Sequence, residues 1–75
     1  MWFEEIKEIL MKESEEFRQV AQEHKKYDLE LKELSGRRYL TPDEQLHEVE
    51  LKKMKLSLKD RMLAMASDYR RKNQA

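Results

Sequence analysis

Two histidines, each with a carboxylate at helical spacing, are the residues of this chain whose types and positions most invite chemistry. His24 precedes Asp28 by one helical turn, so on a helix the carboxylate can hold the imidazole ring. A histidine in such a place titrates near neutrality and can sense pH. The plainer reading carries more weight: a hydrogen-bonded histidine at the edge of a helix–helix seam, fixing its register. Glu44-x-x-His47 has the spacing of a di-iron helix motif. That site needs a second Glu-x-x-His and two further inward glutamates. A dimer can duplicate the motif, but His47 falls close to a loop and Glu44 is engaged in a helix cap. A solvated histidine accounts better for His47, and no metal or other cofactor is expected.

Basic residues raise a second possibility. Lys52, Lys53, Lys55, Lys59 and Arg61, then Arg70, Arg71 and Lys72, with Arg37-Arg38-Tyr39 before them, suggest a nucleic-acid surface. At about 100° per residue the first group is scattered around a helix instead of forming one stripe. Glu48, Glu50 and Asp60 dilute it, and no aromatic residue interleaves as a stacking platform. Weak nucleic-acid binding through Arg37, Arg38 and the Arg70-Arg71-Lys72 end is therefore the alternative, ranked below protein contact. For catalysis there is no Cys and no glycine-rich phosphate loop. Two helices enclose no cavity, so neither an enzyme nor a catalytic residue is expected.

The elements that would carry these groups are all helical. Of 75 residues, 43% are charged and 39% hydrophobic, with one Gly, one Pro and no Cys, as in long helices with solvated faces. No cysteine means no disulfide framework and no thiolate zinc site. No apolar run approaches the roughly 18 residues of a membrane span, and nothing resembles a secretory leader, so the cytoplasm is the expected location. The formal net charge is zero but uneven: residues 1–34 carry ten acids and six bases, residues 35–75 ten bases and six acids. In a hairpin the two arms attract, which points to internal pairing or choice of partner.

One domain, 1–75, is expected, with helices over about 2–12, 14–35 and 42–71 and a loop over 36–41. Gly36 is placed to close the second helix in a left-handed conformation. Thr41-Pro42-Asp43-Glu44 opens the third with a capping box, Pro at its first position and an acid at the positive end of the dipole. Ser14 can cap the second helix, separating it from the first. The last residues, Lys72 to Ala75, are expected to fray.

The apolar residues then fall into faces. On the second helix Phe17, His24 and Leu31 recur every seven residues, interleaved with Val20, Tyr27 and Leu34, giving one seam. Leu51, Met54, Leu58, Met62, Met65 and Tyr69 share a face of the third helix, assigned to the same hairpin seam. Leu46, Val49, Leu56 and Leu63 lie nearly opposite, interrupted by Lys53 and Asp60. One partner needs one stripe, and this helix has two, so the second is expected to be covered by another protomer or by the N-terminal helix. Trp2, Phe3 and Ile6, on the apolar side of the first helix with Ile9 and Leu10, join that candidate self-association face. The polar side of the first helix is acidic, the wrong sign for anionic lipid, so no membrane contact is expected.

From Phe17 to Asp60 the chain resembles the small bacterial YdcH-like family, coiled-coil proteins without a known function. The resemblance rests on Glu23-His24 with Tyr27-Asp28, on Gly36-Arg37-Arg38-Tyr39-Leu40-Thr41-Pro42, and most specifically on Leu51-Lys52-Lys53-Met54-Lys55-Leu56-Ser57-Leu58-Lys59-Asp60. Tyr27 stands where the family has Leu. The resemblance implies a self-associating helical hairpin, with no activity, cofactor or catalytic residue. The expected architecture is thus all-α: an antiparallel helical hairpin behind a short N-terminal helix, pairing into a four-helix bundle. The expected role is a non-enzymatic interaction module. Its partner would be a second copy of itself, as a homodimer or higher oligomer, or an unidentified protein.

Overall fold

The structure, a computed structural model, describes residues 2–73. It is all-α: α1 (Trp2–Glu13), α2 (Glu15–Ser35) and α3 (Pro42–Lys72), with α2 and α3 forming a long hairpin and α1 folded against it. There is no strand among the described residues. The molecule is a rod, 52 × 22 × 17 Å.

A single residue separates α1 from α2. Ser14 is extended (φ −114°, ψ 113°), and its hydroxyl accepts from the Phe17 N–H at 3.1 Å while its own N–H reaches the Leu10 carbonyl at 2.8 Å. Arg18 closes the bend from the other side. Its Nη1 donates to the Met11 and Lys12 carbonyls at 3.1 and 3.0 Å, satisfying acceptors that the end of α1 leaves open.

At the other end of α2 the structure corrects an expectation. Gly36 is not left-handed; it stays right-handed at φ −76°, ψ −12°. Its N–H still bonds to the Lys32 carbonyl at 3.1 Å, and Arg37 N–H then reaches Leu34 at 3.1 Å. The helix therefore tightens by one residue at its end and needs no left-handed cap. The capping box at α3 is complete: Glu44 N–H donates to Thr41 Oγ1 at 3.1 Å, and Thr41 N–H donates to Glu44 Oε1 at 3.0 Å. Arg37 also binds the Glu44 carboxylate, tying the loop to the helix it precedes. At the far end Asn73 N–H donates to the Tyr69 carbonyl at 3.0 Å. The expectation of fraying at Gln74 and Ala75 lies outside the described residues.

The core has two parts. Toward the open end of the hairpin, Ile6 and Leu10 of α1, Phe17 and Val20 of α2, and Met62 and Ala66 of α3 form one buried cluster, flanked by Trp2, Phe3, Leu58, Met65 and Tyr69. Toward the loop, Leu31, Leu34 and Leu51 form a second, with Tyr27 and Leu40 against it. Phe17 and Leu51 are the largest side chains wholly shut off from solvent, one in each cluster. Two apolar helices alone would leave the wide end of the rod poorly covered. There α1 supplies the third side, and Arg70 of α3 lies 4.7 Å over the Trp2 ring, which meets Phe3 edge-on.

Candidate functional site

The seam of the hairpin is read from α3 by its spacing. Leu51, Lys55, Leu58, Met62, Met65 and Tyr69 alternate steps of four and three, the repeat that keeps a stripe facing one partner. Met54, expected in that seam, is 43% exposed at its flank. The residue that takes the inward position is Lys55, half-buried. It is held there by an ion pair: Lys55 Nζ lies 2.5 Å from Asp28 Oδ1 of α2, while Lys32 Nζ lies 3.3 Å from Oδ2 of the same carboxylate.

This pair sits between the two apolar clusters, and His24 lies beside it. The expectation that Asp28 holds the imidazole is not met. Lys55 and Lys32 take the carboxylate, because a charged ammonium donor outcompetes a neutral ring N–H. His24 Nε2 is buried with no hydrogen-bond partner among the described residues. Burial first, and then the Lys55 charge, hold its pKa below the usual histidine value; Asp28 opposes this, and Lys59 and Lys7 add to it. Asp28 is itself held below the usual carboxylate range, mainly by its bond to Lys55. The middle of the rod is thus a polar layer of one imidazole, one carboxylate and an ammonium group inserted from the opposite helix.

The loop end gathers Glu30, Glu33, Arg37, Glu44 and His47 around a shallow, open depression. His47 Nε2 lies 3.9 Å from Glu30 Oε2. Glu44 is engaged by the Thr41 N–H and Arg37, which hold its pKa low. No three His, Cys, Asp or Glu among the described residues gather closely enough to hold a metal ion.

The basic residues do not form one surface. Arg37 and Arg38 are at the loop, whereas Arg70, Arg71 and Lys72 are at the far end of the 31-residue α3. A helix of that length separates them by roughly 45 Å. At that end Asp68 binds Arg71 at 2.6 Å and Lys72 at 3.1 Å. No helix among the described residues is long and apolar enough to cross a membrane.

The outer side of α3 is different. Leu46, Val49, Leu56 and Leu63 are 61%, 47%, 59% and 39% exposed on the outer side of α3, with Leu56 at its edge, where it lines an open groove with Asp28, Leu31 and Lys32 of α2. Trp2, Phe3 and Ile6, expected to join this face, do not. Ile6 is buried, and Trp2 and Phe3 pack on the cluster that contains Met62 and Ala66. An amphipathic helix is drawn to whichever groove buries most of its apolar side, and the open end of the hairpin seam offers more than a single exposed stripe. Among the described residues, none covers the outer stripe. Leu29 of α2 and Tyr39 of the loop are also exposed, but each stands alone.

Residues 17–66, more than half of the chain, match the model of a family described as Protein of unknown function (DUF465). No curated protein and no solved structure matches the chain.

Proposed function

We propose that this chain, which belongs to the DUF465 family of small YdcH-like proteins of unknown function, works as a non-enzymatic interaction module that binds a second copy of itself through the outer side of α3. The observation that carries this reading is the row Leu46, Val49, Leu56 and Leu63, exposed at coiled-coil spacing on a helix whose other side is already filled. Single exposed leucines are ordinary, but four large apolar residues in one row along a helix mark a surface that gains by being covered. The size of the chain favours the same reading. A domain of 75 residues buries a modest core, and pairing adds apolar burial at no cost in further chain folding.

Light scattering on a sizing column, across a range of concentrations, tests it. The chain is expected to run as a dimer that dissociates on dilution. Val49→Glu combined with Leu56→Glu is expected to give a monomer with its circular-dichroism helicity largely kept, because neither residue is in the core. A wild-type chain that stays monomeric at every concentration, or a doubly substituted chain that stays dimeric, rejects the proposal.

A further inference from the structure

We infer that the two copies pair antiparallel, α3 against α3, with Lys53 of each copy meeting Asp60 of the other. The inference rests on the self-association reading above and deepens it by fixing the partner's direction. It is carried by the two charges that interrupt the stripe.

Along the outer side of α3 the inward positions of a second coiled-coil repeat read Leu46, Val49, Lys53, Leu56, Asp60 and Leu63, in alternating steps of three and four. Lys53 and Asp60 fall at the same heptad position, one repeat apart, and both are exposed in the single chain. Neither has an ion-pair partner among the described residues, whereas most of the charges around the seam do. They are the two charges a second helix would have to accommodate.

Direction decides how well it can. In a parallel pair in register, each residue faces its own copy, so Lys53 meets Lys53 and Asp60 meets Asp60. That makes two layers of like charge, each destabilising at close range. Sliding one helix by a heptad pairs one Lys53 with one Asp60 but leaves the other two charges unmatched. It also gives a head-to-tail contact that repeats without closing.

Turning the second helix end for end closes the dimer and gives each charge an opposite one within reach, although the two copies' Lys53 then flank the two-fold axis three residues, about 4.5 Å along the axis, from each other. With Leu46 level with Leu63 of the second copy, Lys53 is level with Leu56, and Val49 with Asp60. Lys53 then lies four residues, about 6 Å along the axis, from the second copy's Asp60, a gap its side chain spans. The two-fold axis makes the same contact twice and closes the dimer. Each charge can keep its head at the edge of the seam while its stem covers the neighbouring leucine. The stripe lies roughly 150° around α3 from the hairpin seam, so α2 of each copy remains on the outside and does not obstruct the approach.

The chain has no cysteine, so single cysteines report direction without interference. Leu46→Cys and Leu63→Cys full-length chains are prepared separately and mixed under mild oxidation. In the antiparallel dimer neither chain links to itself, since like positions lie about 25 Å apart, while the mixture gives a disulfide-linked heterodimer. Self-linking of either chain with no linked heterodimer overturns the inference. A charge swap provides the second arm. Lys53→Glu and Asp60→Lys are each expected to weaken the dimer by about tenfold, and the two together to restore it to within about twofold of wild type. Single substitutions without effect, or a double substitution no better than either, reject the pairing. Either result can occur while Val49→Glu with Leu56→Glu still yields a monomer. The outer face would then survive as the interface, and only its direction would fall.

Discussion

Replacing His24 with leucine should stabilise this protein, and by more in mild acid than at neutral pH. His24 lies in a seam position with its Nε2 buried and unpartnered among the described residues, beside an ion pair to which it makes no hydrogen bond. A buried polar atom without a partner costs about 1–3 kcal/mol. The ring is half-buried, so the lower end of that range applies. Leucine removes the orphan and adds apolar contact between the two core clusters, for a gain of about 1–2 kcal/mol near pH 7.5. For a domain of this size each kcal/mol raises Tm by about 4–8 °C. The pH dependence has a definite sign. Burial and the facing Lys55, Lys59 and Lys7 lower the folded-state pKa of His24, with Asp28 opposing them. The unfolded chain therefore takes up the proton first, as pH falls through about 6.5. Below that value the unfolded state binds more protons than the folded one, and wild-type stability declines until the folded-state pKa is reached. The His24→Leu chain lacks this source of acid sensitivity. Asp28, held low by Lys55, stays charged over the same window. Thermal unfolding by circular dichroism at about pH 7.5 and about pH 5, at one fixed chain concentration because the proposed pairing would couple to Tm, measures both effects. A variant less stable than wild type at the higher pH, or a Tm difference that shrinks on acidification, would show that the imidazole is better satisfied in the fold than its geometry indicates.

Two backbone features give further predictions. Gly36→Ala should be neutral or stabilising by up to about 1 kcal/mol, because Gly36 is right-handed and an added Cβ would meet the Lys32 and Glu33 carbonyl oxygens at 3.5 and 3.6 Å, ordinary contact distances. A Tm drop of several degrees would mean that the position visits a left-handed state in solution. Thr41→Ala removes the acceptor for the Glu44 N–H at the start of α3 and should cost about 1 kcal/mol, read from denaturant unfolding at fixed chain concentration. No change in midpoint would show that the Arg37–Glu44 contact alone holds the loop end.

The sequence makes the helices legible because their boundaries are written in local chemistry. Thr41, Pro42 and Glu44 act on neighbours three residues away, and Ser14 does the same. The α2 seam is equally plain, since Phe17, Val20, Leu31 and Leu34 follow a strict heptad. What escaped depends on the opposite helix. Met54 is the better seam residue by type, yet Lys55 takes the inward position because Asp28 lies opposite it. That compensation is invisible on either helix alone. The destination of α1 was hidden for a similar reason: Trp2, Phe3 and Ile6 declare an apolar side but not which groove receives it. Gly36 misled because glycine permits a left-handed cap without requiring one.

Under the proposed pairing, the polar layer and the outer stripe together account for how one helix would serve two partners without confusing them. Two apolar stripes on α3 could in principle exchange, α2 taking the outer one and a second copy taking the seam. Lys55 favours the hairpin, because its ammonium meets the Asp28 carboxylate when α2 packs on that side. A second α3 brought against the seam has Glu48 and Lys55 in the corresponding positions but no buried aromatic to match Phe17. Conversely, α2 laid along the outer stripe would set its apolar heptad against Lys53 and Asp60. Each stripe is therefore marked by the charge that interrupts it. Lys55 commits the inner side to the hairpin, while Lys53 and Asp60 suit the outer side to a copy running the other way. On this account the charges cost some stability in each seam and return it as a single choice of partner for each face.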